Sequence, residues 1–388
     1  MEYGGVVLKD NKFIKGITIF FSIFGLLVFL TAGYLATTNW NGWSSMLSVM
    51  TLIKAESLYA SNGNNMIEGA TAGIVASLDD PYSKYLTKSQ WEELKLQLDA
   101  EFGGIGVYVV EMEGGKLTIV SPIKGTPAAK VGLKDGDIIT KINGDSTIGM
   151  SQDDAVHLMR GDPGTQLELA VFRPDDGQEH DFSIVREIIN VPSVEDKIVS
   201  ENPLLGYIKL NQFHARSAME MAASVNRMED KKVKGLILDL RNNGGGDFDA
   251  SLAIADLFLS DMAVVSVKDS KGKETVHKAG ARGSNIPLIV LVNKNSASAS
   301  EILAGALQDN GRAILVGEKT FGKGLVQTVY PLTDGGALKL TTQKYFTPKG
   351  TDINEIGINP DHMVKNPDKG EQDLQLERAM ELLKQQMK

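Results

Sequence analysis

The sequence predicts an α/β core with a β-rich module inserted ahead of it, N-terminal helices and a membrane-spanning N-terminal segment. Three observations predict this. Residues 16–36 carry no charge, residues 101–187 hold short β runs separated by glycine-rich turns, and from Val191 onward apolar strands alternate with helical patterns. The chain has 388 residues, enough for two or three domains. It is 42% hydrophobic and 23% charged, which excludes a disordered chain. A net charge of −9 argues against nucleic acid as a partner, because phosphate binding needs a basic footprint. There are no cysteines, which excludes disulfides, a cysteine nucleophile and thiolate metal sites, and which suits export to an oxidising compartment. The five histidines, at 157, 180, 214, 277 and 362, show no metal-ligand spacing.

At about 1.5 Å per residue the uncharged run Gly16–Ala36 spans roughly one hydrocarbon core. Lys9, Lys12 and Lys15 precede it, no basic residue follows until Lys54, and Trp40 and Trp43 sit just beyond it. The positive-inside rule then places residues 1–15 in the cytoplasm and the remainder outside. A cleaved signal peptide with small residues at Thr31-Ala32-Gly33 is the alternative, and it exports the rest equally well. Helical patterns follow at Met46–Tyr59, Met66–Leu78 and Ser89–Ala100, within a helical region over 37–100. In the 101–187 module the β runs are Ile105–Val110, Lys116–Val120, Ile138–Ile142 and Leu167–Arg173, with a short helix near Ser151–Arg160. The core, 188–365, alternates strand and helix: Gly206–Leu210, Ala215–Met228, Gly235–Leu240, Ala250–Phe258, Leu288–Val292, Ala299–Asp309 and Ala313–Val316. A hairpin, Leu325–Leu332 and Ala337–Phe346, follows, and residues 366–388 end the chain as a polar amphipathic surface helix.

The densest chemical signal is Asn293–Asp309, where an apolar strand runs through small residues into a helix. A serine at that junction sits on the positive end of the helix dipole beside free N–H groups, a place for a nucleophile or simply for an N-cap. No histidine lies nearby in sequence, although His214 and His277 can approach through folding, and Lys323 in Thr320-Phe321-Gly322-Lys323-Gly324 is the other candidate base. As a base it needs an amine pressed into a dry site. The same loop matches the G-x4-G-K of a phosphate loop but has Gly324 where Ser or Thr binds magnesium. A strand pattern follows it where a phosphate loop opens a helix, so nucleotide binding is rejected. Gly244-Gly245-Gly246, after a buried strand, can aim N–H groups at an oxyanion. Phe102-Gly103-Gly104-Ile105-Gly106 can form a nest for a carboxylate beside an open strand edge.

In this order the segments resemble the C-terminal processing peptidases, or tail-specific proteases, over about residues 50–365. The carriers are Leu78-Asp79-Asp80-Pro81-Tyr82-Ser83, where the extra Asp80 is a minor departure, and Gly103–Gly106. They continue through Gly125-Thr126-Pro127-Ala128, Gly132–Asp137, Ile142-Asn143-Gly144, Asp239–Gly246, Ser296–Glu301, Gly322–Gly324 and Gly357–Asp361. The resemblance implies a Ser-Lys serine peptidase on a crotonase/ClpP-like core with an inserted PDZ domain, needing no cofactor or metal. It makes Ser298 the nucleophile, Lys323 the base and Gln327 the residue that orients the lysine. Lys323 and Gln327 lie four apart and would share a strand face. Gly245 and Ala299 are chosen for the oxyanion hole, and Glu301, Asp309 and Thr320 match supporting positions. The PDZ domain would take protein C-terminal tails at Gly103, Gly104, Ile105 and Gly106. The expected protein is thus an extracytoplasmic endopeptidase anchored in a bacterial cell membrane by one helix. Its rivals are a non-catalytic PDZ adaptor and an acyl-CoA enzyme. A homo-oligomer or an activating partner is left open.

Overall fold

The computed structural model describes residues 12–59, 62–99, 101–112, 114–281, 283–367 and 372–387. The chain divides into two units, residues 1–79 and 80–388. The first holds α1 (Lys12–Glu56) and α2 (Gly63–Ala76). The pattern read over Met46–Tyr59 is the end of the 45-residue α1, not a separate helix. The 16–36 segment lies within α1, but side chains at 16, 18, 32, 35 and 36 fall outside those described, as do residues 1–11 of the expected cytoplasmic stretch. Among the described residues, no helix is long and apolar enough to cross a membrane. The division after Asp79 splits the helical region expected over 37–100, since β1 (Lys84–Leu86) and α3 (Lys88–Asp99) belong to the second unit.

The β-rich module begins after β2 (Glu101–Gly104). It contains β3 (Val107–Met112), β4 (Lys116–Pro122), α4 (Pro127–Val131), β5 (Ile138–Ile142), β6 (Asp145–Ser146), α5 (Gln152–Met159), β7 (Gln166–Arg173) and β8 (Gln178–Val185). The order β3-β4-β5-β7-β8 is antiparallel throughout and leaves β3 at an edge. β9 (Glu187–Asn190) returns to pair with β2. The strands alternate, so Leu117, Ile119, Ile139, Leu167, Leu169 and Val171 fill one core with Ala128 and Ala155 from the two helices. Asp137, almost fully buried, is the fixed point of this module. It accepts from Arg173 at 2.8 and 2.7 Å and from the Lys134 N–H at 2.9 Å. Burial alone would raise its carboxyl, but the hydrogen bonds and charge of Arg173 together with the Lys134 N–H outweigh it and hold the group below the ordinary range.

The core unit contains β10 (Val194–Glu201), β11 (Leu204–Leu210), α6 (Ser217–Asp230), β12 (Gly235–Asp239), α7 (Phe248–Asp256), β13 (Ala263–Asp269), β14 (Glu274–Lys278), β15 (Leu288–Val292), α8 (Ala299–Asp309), β16 (Ala313–Gly317), β17 (Leu325–Pro331), β18 (Ala337–Phe346), β19 (His362–Met363) and α9 (Leu374–Gln386). One sheet runs β10-β11-β12-β15-β16-β19, parallel from β11 onward. Its strands are buried on both faces: Leu288, Val290 and Val292 join one core while Ile289 and Leu291 join another. The second core is closed by Ala379, Leu382 and Leu383 of α9, so the tail is not a mere surface helix but covers a sheet face. A second sheet, β1-β18-β13-β14 with β17 on β18, is antiparallel. β8, β10, β13 and β14 had no place in the sequence reading: charged residues break up the pattern of β8, β10 and β14, while β13 is a short apolar run ending in Lys268-Asp269. Helix α8 is buried on every side from Ala299 to Leu307, as a helix between two sheets must be.

Asp137→Ala leaves the Arg173 charge buried without its partner, and should cost about 3–5 kcal/mol in urea unfolding of this module. Because the Asp137 carboxyl is held below its ordinary value of 3.8, its stabilisation is complete above that value. It should disappear as pH falls through the lower folded value, so wild type and variant should converge in melts carried to acid pH.

Candidate active site

Three loops leave the carboxyl ends of parallel neighbours β12, β15 and β16 and meet at one cleft, where ligands of open α/β sheets usually bind. The turn after β15 is braced on both sides of Ser298. The buried Ser296 accepts the Asn293 N–H at 2.9 Å and donates to the Leu240 carbonyl at 2.8 Å. The buried Ser300 donates to the Asn243 carbonyl at 2.9 Å. Ser298 between them is half-buried and lines the cleft. Its backbone has φ 56° and ψ −117°, a costly conformation of about 1–3 kcal/mol for a residue with a Cβ, which persists only where its surroundings impose it. Simple N-capping does not require that conformation, since N-caps ordinarily sit in the β region.

What imposes it is Glu301, fully buried one turn into α8. One carboxylate oxygen accepts the Ser298 N–H and the Lys323 N–H, both at 2.9 Å. The other accepts the Thr320 hydroxyl at 2.6 Å and the Gly322 N–H at 2.7 Å. Thr320 in turn accepts the Ile358 N–H at 2.7 Å. Glu301 thus bolts the serine turn to the lysine loop. Thr320 belongs to that bolt. Asp309 does not: it lies at the far end of α8, about 16 Å along the axis, and holds the Lys349 N–H at 2.9 Å.

Lys323, Gln327 and Ser298 line the same cleft of about 360 Å³, together with Gly244, Gly246, Asp247, Lys339 and Tyr345. The expected strand alternation is not the reason. Lys323 precedes β17, so strand alternation does not reach it, and the register shift beside Gln327 places its extra residue, Thr342, in the partner strand β18. Burial presses the Lys323 amine below the ordinary lysine value. The charge of Lys339 adds in the same direction, while Asp80 and Glu301 oppose it. The amine lies 4.9 Å from the Tyr82 ring centroid, and no hydrogen bond joins it to Ser298 or Gln327. Gln327 donates instead to the Thr341 hydroxyl at 3.4 Å.

The two expected oxyanion donors differ. Ala299 opens α8, where a first-turn N–H has no intrahelical partner. The Gly245 N–H already donates to the Asn243 side chain at 2.9 Å. Gly245 is nonetheless fixed as glycine: its φ is +97°, and an added Cβ would lie 2.9 Å from that of Ser298 and from the Ala299 nitrogen. Gly244 and Gly246 line the cleft itself.

Three contributors carried no role in the sequence reading. Tyr345, buried, sets its hydroxyl against the carbonyls of both Ser298 and Lys323, and burial raises its hydroxyl well above the ordinary value. Lys339, on the same strand, lines the same cleft. The unpaired Thr342 breaks period-two alternation between them, so that pattern could not have paired the two. The third, Asp80, is not minor. It accepts the Tyr82 N–H at 3.0 Å and the Ser83 hydroxyl at 2.5 Å, while Ser83 accepts the Thr341 N–H at 3.0 Å, which seats Tyr82 beneath Lys323.

In the β-rich module a groove of about 300 Å³ runs between edge strand β3 and α5. Gly104, Ile105, Gly106, Val156 and Met159 line it. Gly103 does not: it pairs with Ile188 of β9, and the Gly161 carbonyl fills the space its Cβ would need. Of the helix residues that could wall the groove, Ala155 turns into the core and Leu158 is partly exposed.

A family model for peptidase family S41 matches residues 204–364, and a PDZ domain model matches residues 118–173. The chain is 41% identical over 309 residues to the carboxy-terminal-processing protease of Bartonella bacilliformis, covering 78% of this chain and 70% of the relative. It is 39% identical over 318 residues to the carboxy-terminal processing protease CtpA of Bacillus subtilis, covering 81% and 67%. Among solved structures, the photosystem II D1 C-terminal processing protease matches with a TM-score of 0.50 at 31% identity, over 87% of this chain and 92% of that one. An S41 protease from Bacteroides fragilis shares the fold at a TM-score of 0.52 and 18% identity, over 85% and 92%. The chain belongs to peptidase family S41, as the resemblance read in its sequence implied. It is a C-terminal-processing serine peptidase with a PDZ domain.

Glu301→Gln keeps the shape but turns one acceptor oxygen into a donor, so two of the four incoming donors lose their partner. At about 1–3 kcal/mol each, urea unfolding should show a loss of about 2–6 kcal/mol, and kcat should fall more than tenfold.

Proposed function

We propose that Ser298 is the nucleophile and Lys323 the general base of an acyl-transfer endopeptidase that acts on protein chains captured by their C-terminal tails. The observation that carries this is the pairing, in one cleft, of a serine held at φ 56° on a helix N-terminus with a desolvated lysine amine. Neutral Lys323 takes the Ser298 Oγ proton as that oxygen attacks the scissile carbonyl, then delivers it to the leaving amine. Water hydrolyses the acyl-enzyme by the same route. The oxyanion is held by the Ala299 N–H and a donor from the Gly244–Gly246 loop. Since Lys323 rests over Tyr82, closing the dyad takes a turn of its flexible stem.

Ser298→Ala should abolish cleavage and leave the fold intact. Ser296→Ala and Ser300→Ala should instead lower the melting temperature, because their hydroxyls brace the loop after β12. Lys323→Arg should be as inactive as Lys323→Ala, because arginine does not shed its proton. In the wild type the rate should rise with pH along a limb lying below the ordinary lysine value of 10.5, the direction burial imposes. An active Lys323→Arg enzyme would return the search to a histidine base.

The groove between β3 and α5 supports the reading that the PDZ domain takes a free C-terminus, with backbone N–H groups near Gly104–Gly106 for the carboxylate and Val156 and Met159 for the last side chain. A peptide ending in Ala, Val or Leu should be cut with a much higher kcat/KM than its amidated twin, and equal values would remove carboxylate reading from this groove. The uncharged 16–36 run supports a membrane anchor and an extracytoplasmic catalytic unit. Its apolar side chains from Ile19 to Leu30 are all more than half exposed, so they call for a cover. Alkaline extraction should release a chain lacking residues 1–36 from the membrane fraction but not the full chain.

A further inference from the structure

Two lysines line the cleft, and the mechanism uses one. Lys339 stands on β18 with Val329 of β17 on one side and Lys84 of β1 on the other, a like-charge pair across strands that sheets ordinarily avoid. It is half-buried, and among the described residues its amine has neither an ion pair nor a hydrogen bond. The charged groups facing Lys323 are Lys339 from β18, Glu301 from α8, Asp80 from the turn before β1, and Asp247 at the head of α7. The three carboxylates are all engaged elsewhere. Glu301 accepts four donors, Asp80 holds Tyr82 and Ser83, and Asp247 caps α7 through the Ala250 N–H at 2.7 Å. The tyrosines at the site, Tyr82 and Tyr345, present a ring and a hydroxyl that stays neutral.

We propose that Lys339 is a positioning residue for the acyl transfer: its unpaired ammonium shares the cleft with Lys323, opposes a second positive charge there, and so holds Lys323 in the neutral form that activates Ser298. The inference rests on the reading of Lys323 as the base. Burial weighs on both amines, and the charge of Lys339 lowers Lys323 further, against the opposing pull of Asp80 and Glu301. Lys84, exposed on the edge strand β1, presses on Lys339 in the same direction.

The test is the pH profile of kcat/KM for the full chain on a quenched free-acid peptide, with wild type beside Lys339→Gln and Lys339→Arg. Lys339→Gln should move the ascending limb to higher pH. It should be roughly three- to tenfold slower at neutral pH and meet the wild type on the alkaline plateau, with KM unmoved. Lys339→Arg keeps the charge and should keep the midpoint. A loss by one factor at every pH, a rise in KM alone, or an arginine variant displaced as far as the glutamine one would overturn the inference. A second measurement separates it from the base assignment. In a Ser298→Ala background with 13C-labelled lysine side chains, the Lys323 signal, identified by its loss in Lys323→Arg, should titrate at higher pH once Lys339→Gln is added. If that titration does not move, the inference falls. If it moves while the activity profile stays in place, the coupling stands and the base assignment falls.

Discussion

The site depends on the carboxylate of Glu301 receiving four donors at once. These are the N–H of Ser298 on the serine turn, the hydroxyl of Thr320, and the N–H groups of Gly322 and Lys323 on the lysine loop. A buried carboxylate is tolerable only when its lone pairs are filled, so α8 and the loop after β16 are fixed relative to one another by the need to satisfy it. The strained backbone of Ser298 is one consequence, and the placement of the Lys323 main chain is another.

The parallel sheet makes that meeting possible. β12, β15 and β16 end side by side, and each delivers one loop to the same edge: the glycines after β12, the serine turn after β15 and the lysine loop after β16. The antiparallel hairpin of β17 and β18 closes the cleft from above with Gln327, Lys339 and Tyr345. Rigid strands carry the loops, and buried serines and asparagines lock them. The chemistry is therefore positioned by core packing and not by the cleft's own contacts.

Much of this was legible in the sequence because local patterns encode it. The apolar strand before Asn293, the small residues around Ser298 and the glycines at 244–246 each point to a backbone-built site. Less legible was anything set by which faces meet. Lys323 and Gln327 share the cleft although Lys323 lies ahead of β17, outside the strand alternation used to pair them. Gly103 reads like its glycine neighbours, yet it serves packing against Gly161 while they line a groove. Asp309 lies on the same helix as Ser298, but helix length alone removes it from the site. Tyr345 and Lys339 depend on how a hairpin packs over a distant helix, and no local pattern records that.

The short strand β1 has a consequence for the order in which the molecule is made. Ser83 and the Thr341 N–H it holds are 258 residues apart, and β1 pairs with β18 over Lys84–Leu86. Contacts of such separation form late, because closing the intervening chain costs entropy before any contact repays it. A growing chain can therefore complete the serine turn while the wall that carries Tyr82, Lys339 and Tyr345 is still missing. A protease assembled in this way cannot present a finished cleft to its neighbours, or to its own unfolded segments, until the chain through Phe346 has emerged and come together.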